Sequence, residues 1–449
     1  MNAHSALTEQ LGIGERTIAL VAACEDAVRG LWPTLERVCG GNQAKVLAAM
    51  RAHRLSDTHF GFATGYGYGD AGRQVTEAIF ADIFGAESAL VRTQFVNGTH
   101  AIATAMAGAL RPGDRLLYCS GAPYDTLRAT IGIAESTADP AGSGRSGGSA
   151  GQGTLFDFGI GYAQIELTPA GGIDYAALEK ALLGDSDLKM AALQRATGYS
   201  ERPAITTCAI SEWARFVKQR RPDVVCFVDN CYGEFLETRE PTDVGADLMA
   251  GSLIKNPGGG LALSGGYVAG RRDLVEKAAY RLTCPGIGGE CGLTFGQTRT
   301  MLQGLFLAPR TVMDAVKGAI LCGAVFEKLG FSVFPAAGAA RSDIVETVRL
   351  GSAQALVAFC EGIQAASPVD SFARPEPWAM PGYADEVVMA SGSFITGSSI
   401  ELSADGPLRE PYNVYFQGGL TYDHARIGVM SAVQRLFDKG LLDTNTLSL

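Results

Sequence analysis

A chain of 449 residues, 47% hydrophobic and 19% charged, is long enough for more than one packed core and too apolar for a disordered chain. Its formal net charge of −10 argues against nucleic acid or an anionic membrane as main partner, because both call for a basic face. No basic stretch followed by an apolar one stands near the start, no run reaches the ~18 apolar residues of a membrane span, and none of the ten cysteines forms a C-x-x-C pair, so a reduced, cytoplasmic protein is expected.

The first 55 residues read as helical: TIALVAACEDAVRGLWPTLERV carries apolar residues at helical spacing, with Pro33 as a kink or break. From about Ser88 short β-rich runs alternate with helical patterns. SALVRTQF precedes THAIATAMAGAL, and DRLLYCS follows; AQIELT precedes DYAALEKALL; MAALQRAT precedes SEWARFVKQ; DVVCFVDN, DLMAGSLI and GGYVAG close the series. That alternation predicts a mainly parallel sheet with helices on both faces, in a large domain over residues 56–310. A helical pattern over 311–328 begins a smaller α/β domain, 311–449, with FSVFPA, a helix around SAQALVAFCEGIQ and two strand-like runs around 387–402. The low-complexity stretch 140–153, PAGSGRSGGSAGQG, reads as a surface loop.

Chemistry concentrates in DVVCFVDNCYGEF and GADLMAGSLIKNPGGGLALSGGYVAG. Asp229 ends one apolar run and Lys255 ends the next, 26 residues later, where Asn256-Pro257 and three glycines stop any regular element. In open α/β sheets the carboxyl ends of strands are where ligands bind. Pyridoxal 5′-phosphate needs this pair: an amine that condenses with its aldehyde and a carboxylate that keeps its pyridine nitrogen protonated. FVNGTHAIATAMAGAL is a strand, a Gly turn and a helix whose exposed N–H groups suit a phosphate, with Gly98 allowing close approach and Thr99 donating. Tyr124, after the following strand, is placed to stack on an aromatic ring. The blander readings are a surface lysine by a turn, a helix cap at Thr99 and a packing tyrosine.

Two other motif matches carry less. Gly67-Tyr68-Gly69-Asp70-Ala71-Gly72 fits G-x-G-x-x-G, but SDTHFGFATGY before it makes a poor strand. Ser252-Leu253-Ile254-Lys255 fits S-x-x-K without its companion S-D-N and K-T-G motifs. The five histidines lack metal-ligand spacing, so no metal is expected.

GYGYGDAGR, VDNCYGEF, GSLIKNPGGG, TCPGIGGECG, PVDSF and ELSADGPLREPY, in that order, resemble the methionine gamma-lyase-like family, also called the aluminium-resistance or cystathionine beta-lyase-like family. The resemblance runs from about residue 40 to 440. It implies fold type I, the aspartate-aminotransferase-like fold of pyridoxal 5′-phosphate enzymes: a seven-stranded, mainly parallel sheet, a smaller C-terminal domain, and a homodimer or homotetramer. Carried across, it makes Lys255 the lysine that holds the cofactor and Asp229 the partner of the pyridine nitrogen. Ser252, Gly98 and Thr99 hold the phosphate and Tyr124 stacks on the ring. Tyr66, Tyr68 and Arg73 fall where relatives reach into a neighbouring subunit's site, although this chain reads Gly69-Asp70 where relatives often read GYGYDD. Arg409, in PLREPY, is the candidate for the substrate carboxylate, since a guanidinium binds carboxylates in bidentate fashion.

The implied activity is carbon–sulfur bond cleavage in a cystathionine-, methionine- or cysteine-like amino acid by β- or γ-elimination. Lys255 then acts as general base at Cα and Tyr124 as proton donor to sulfur. An aminotransferase on the same fold would use the same lysine and aspartate, and an inactive cofactor-binding protein would keep them too.

Overall fold

The computed structural model describes residues 5–133, 151–380, 383 and 385–442. Seven strands form the larger sheet: β1 (Ser88–Arg92), β2 (Arg115–Tyr118), β3 (Gly161–Gln164), β4 (Leu188–Gln194), β5 (Val225–Asp229), β6 (Leu248–Ser252) and β7 (Gly266–Gly270). Their order is β1-β7-β6-β5-β4-β2-β3. Every pairing is parallel except those of β7, which runs against both β1 and β6. The chain is therefore α/β with the fold type I sheet that the alternation and the resemblance led one to expect.

Period-two alternation explains why helices cover both faces. On β5, Phe227 packs into the cluster under helix Gly98–Ala109, with Ala101, Ile102, Ala105 and Met106. Its neighbours Cys226 and Val228 point the other way, into the cluster that holds Trp213 and Val217 of helix Thr207–Arg220. All these side chains are buried.

Five antiparallel strands form the second sheet: β8 (Ser332–Phe334), β9 (Val345–Arg349), β10 (Val387–Ala390), β11 (Ser403–Pro407) and β12 (Asn413–Gln417), in the order β10-β11-β12-β9-β8. Helices Ala353–Ala365 and Tyr422–Asp438 pack with this sheet in one core.

Three expectations need correction. The helical pattern assigned to 311–328 is the second half of one helix, Thr298–Lys328, so the boundary drawn at 311 falls inside a continuous rod. Pro309 inside it masked its length. Of the two runs around 387–402, the first is β10, but residues 391–402 form no strand and the next strand begins at Ser403. Finally, the N-terminal helices do not form a unit of their own. Leu20, Val21 and Cys24 of helix Glu15–Val28 belong to the core of the small sheet, whereas Val46, Ala49 and Met50 of helix Trp32–Ala52 belong to that of the large one. Pro33 sits in the first turn of the second helix, after a short 3₁₀ turn over Arg29–Leu31, where its missing N–H costs nothing. Of the expected surface loop, residues 140–150 lie outside the described residues. Among the described residues no helix is long and apolar enough to cross a membrane.

Candidate active site

The carboxyl ends of β5 and β6 lie side by side, and Asp229 and Ser252 are their last residues. Three residues beyond Ser252 the chain reaches Lys255 and turns into a short 3₁₀ segment, Asn256–Gly258. A cavity of about 660 Å³ opens there, lined by Gly98, Thr99, Tyr124, Asp229, Ser252 and Lys255 among others. Six residues singled out in the sequence thus converge from four separate segments.

Asp229 is 2% exposed and its Oδ1 accepts the Cys231 amide at 3.1 Å. Burial raises its carboxyl above the usual range, opposed by the Lys255 charge and the Cys231 hydrogen bond. The Lys255 Nζ stands 3.9 Å from the centroid of the Tyr232 ring, a cation–π contact. Burial works against its charge, yet Cys231, Tyr232, Asp229 and Tyr124 around it outweigh this and hold the amine above its ordinary range. Tyr232 has φ +69°, a left-handed backbone that is costly for an aromatic residue. That turn brings its ring under the lysine. The sequence reading missed Tyr232; an aromatic three residues past a strand-end acid was the available signal.

Helix Gly98–Ala109 starts at the cavity wall, and its Asn97 cap engages the His100 amide at 2.8 Å. A Cβ built on Gly98 would lie 3.1 Å from Ser252 Cβ and 3.3 Å from Cys231 Sγ, so only glycine keeps this corner open. The Thr99 hydroxyl is 2.9 Å from the Tyr124 hydroxyl, and the Tyr124 amide donates to Gln194 at 3.1 Å. Burial pushes the Tyr124 phenol well up, so it is a held proton and not a phenolate. A helix start with a hydroxyl on either side suits a phosphate. A buried acid suits a ring nitrogen, and an amine in the same cavity suits an aldehyde. The residues present fit pyridoxal 5′-phosphate.

The substrate-side candidates fare differently. Arg409 reaches the cavity rim but is ion-paired to Asp385 at 2.7 Å and half-exposed. Arg73 is buried away from the cavity: its guanidinium donates to the carbonyls of Gly67, Glu290 and Gly292, clasping the 283–292 loop to the GYGYGDAGR turn. It is a structural clamp in this chain, not a free cation. Tyr66 and Tyr68 are exposed, their ring centroids 5.5 Å apart, outside this cavity. The missed residue is Arg202. It lines the cavity, forms no ion pair among the described residues, and donates to the carbonyls of Gln194, Ala196 and Pro203. Burial lowers its pKa to about 10, opposed by Asp343 and Asp229. Its local sequence, SERPA, looks like any loop.

Comparison with known proteins gives the family and the fold. The methionine gamma-lyase family profile matches residues 17–437. The uncharacterized protein YnbB of Bacillus subtilis is 48% identical over 418 residues, which are 93% of this chain and 96% of that protein. The crystal structure of a carbon-sulfur lyase involved in aluminum resistance from Clostridium novyi superposes with a TM-score of 0.90 at 47% identity, covering 97% of this chain and 99% of that one. A more distant structure, the pyridoxal-5′-phosphate dependent protein YhfS of Escherichia coli, shares the fold at 17% identity and a TM-score of 0.59, over 90% of this chain and 97% of its own. Pyridoxal 5′-phosphate is the cofactor of the family that the profile describes.

Proposed function

The chain belongs to the methionine gamma-lyase family, and from that premise we propose that it is a carbon–sulfur lyase that eliminates a thiol from a sulfur amino acid, releasing a 2-oxo acid and ammonia. The observation that carries this is the convergence of Lys255 and Asp229, from the ends of neighbouring parallel strands, on one cavity of substrate size.

In this reading Lys255 holds the cofactor's aldehyde carbon, Asp229 its ring nitrogen, Tyr124 its ring face, and Gly98, Thr99 and Ser252 its phosphate. When bound, the cofactor supplies an electron sink for negative charge at the substrate Cα. The rest falls to the protein. Arg202 takes the substrate carboxylate; it lines the cavity with no ion pair among the described residues, whereas Arg409 is already paired with Asp385. Lys255 Nζ removes the Cα proton, since Tyr232 beneath it and Asp229 nearby fix its position. Tyr124, protonated and held by Thr99, donates to the departing sulfur.

Purified holoprotein incubated with a panel of sulfur amino acids tests this. Thiol, 2-oxo acid and ammonia should appear together, without added 2-oxoglutarate. Transfer of the amino group onto the cofactor without thiol release would make the protein an aminotransferase. No reaction with any substrate would leave an inactive cofactor-binding protein. Borohydride reduction should fix the cofactor to Lys255, and a label on another lysine would overturn the site. A homodimer or homotetramer fits the exposed aromatic surface of Phe62, Tyr66, Tyr68 and Phe295; sedimentation of an active monomer would contradict it.

A further inference from the structure

The wall of the cavity opposite the parallel sheet is made by the small sheet, and its composition is unusual. Asp405 lies in the middle of β11, directly across from Tyr415 on β12, and both line the cavity that holds Lys255. One carboxylate oxygen of Asp405, Oδ1, is sealed from solvent and has no hydrogen-bond partner. Tyr199 bonds the carboxyl group. The Tyr199 ring stacks on Tyr415 with centroids 4.6 Å apart and sits 5.9 Å from Tyr383. Arg409, which also lines the cavity, is taken by Asp385. An acid among three tyrosines, with an unused oxygen out of water, is costly until a cation arrives. It also repels a carboxylate, so the substrate's α-carboxylate must lie elsewhere, as its assignment to Arg202 already has it.

We infer that Asp405, with Tyr199, Tyr383 and Tyr415, is a receptor for a positive charge at the distal end of the amino-acid substrate, and so selects cationic over neutral side chains. The inference rests on the amino-acid lyase reading of the same cavity. Two kinds of sulfur amino acid carry such a charge without a second carboxylate: aminoalkyl thioethers, such as S-(2-aminoethyl)-L-cysteine, and sulfonium compounds, such as S-methyl-L-methionine. An ammonium and a sulfonium are both bound by an anion beside aromatic faces.

Binding is tested apart from reaction with a pair of amino acids that have no sulfur to eliminate. L-Ornithine and L-norleucine have side chains of the same length, ending in an ammonium or a methyl group. Calorimetric titration of the holoprotein should give ornithine a preference of about tenfold or more. Asp405→Asn should bring the ratio close to one, with the cofactor's absorbance and the melting temperature showing that the fold and cofactor are kept. A ratio near one in the wild-type protein overturns the proposal, and this measurement needs no variant. So does a wild-type preference that Asp405→Asn leaves intact. Comparing kcat/KM then separates the sources. Faster elimination from S-(2-aminoethyl)-L-cysteine than from L-methionine assigns the ammonium, and faster elimination from S-methyl-L-methionine assigns the sulfonium. If L-methionine is the best of the three, the receptor is refuted. A uniform fall in kcat in Asp405→Asn, with the ratios unchanged, would make Asp405 a proton donor instead. If no sulfur amino acid reacts, the lyase reading fails, while the ornithine preference still reports on Asp405.

Discussion

The two walls of the cavity are built by different means. On the parallel sheet, Asp229 and Ser252 are strand-end residues, Gly98 is the first residue of a helix, and Lys255 follows a strand by three positions. Short tethers to rigid elements hold these groups, and at Gly98 the backbone itself is the wall. On the antiparallel sheet, Asp405 and Tyr415 are mid-strand residues whose side chains reach the cavity because alternation points them there. A strand-end site leaves little freedom in geometry, which suits a fixed cofactor. A sheet face can change one side chain at a time without moving the backbone, which suits substrate choice.

The comparison breaks most sharply at Asp229. Asp229→Asn should lower kcat/KM by about three orders of magnitude, some 4 kcal/mol of transition-state stabilisation, because an amide cannot hold the charge. Steady-state kinetics beside an unchanged melting temperature checks it, and a variant with nearly full turnover would remove Asp229 from the site. The second effect concerns the join between the walls. Arg202→Gln should raise KM by roughly ten- to a hundredfold for every substrate, as expected for losing a charged hydrogen bond, with kcat changed less. An effect on one substrate only would argue that Arg202 reads the side chain and not the carboxylate.

A third effect belongs to the antiparallel wall alone and is smaller. Burial pushes the Asp405 carboxyl up to about 7, opposed by the Tyr199 hydrogen bond and the Lys255 charge. The carboxyl is therefore anionic above that value and neutral below it, so a preference for a cation is present at high pH and lost as pH falls. Between about pH 8 and about pH 6 the ornithine-to-norleucine affinity ratio should drop up to about tenfold. The groups facing Asp405 are Lys255, the thiol of Cys360, which burial pushes well up, and the phenols of Tyr199, Tyr383 and Tyr415. Burial pushes Tyr383 and Tyr415 up to about 12 and Tyr199 well above its ordinary range, and Lys255 is held high, which leaves the window to Asp405. A pH-independent ratio would detach the preference from this carboxyl. The smallest effect is at the rim: Arg409→Ala should change kcat/KM less than about threefold, since a half-exposed arginine already paired with Asp385 contributes little. A loss of a hundredfold there would return the carboxylate to Arg409.

What was legible in the sequence follows from the range of each signal. All seven strands of the large sheet were visible because each is a compact apolar run bounded by turn residues. On the small sheet β9, β11 and β12 escaped, VETVR, SADGP and NVYFQ being mixed in character and embedded in long irregular stretches. Asp229 and Lys255 could be read because the first ends a strand and the second follows one by three positions, and a strand end is a local property. Arg73 is the opposite case: nothing within a few residues reveals that the distant carbonyls of Glu290 and Gly292, with that of Gly67, will claim its guanidinium.

The sequence by itself determined the class of fold and singled out Lys255 and Asp229 as the candidate pair, because hydrophobic period and strand boundaries are written within windows of ten residues or so. Only the tertiary structure decided that Arg202 lines the cavity without an ion pair among the described residues, that Tyr232 lies beneath Lys255, and that Tyr199 comes against Asp405 and Tyr415. These are contacts between segments far apart along the chain. They depend on strand order and on how the small sheet packs over the large one, and no local pattern carries that information.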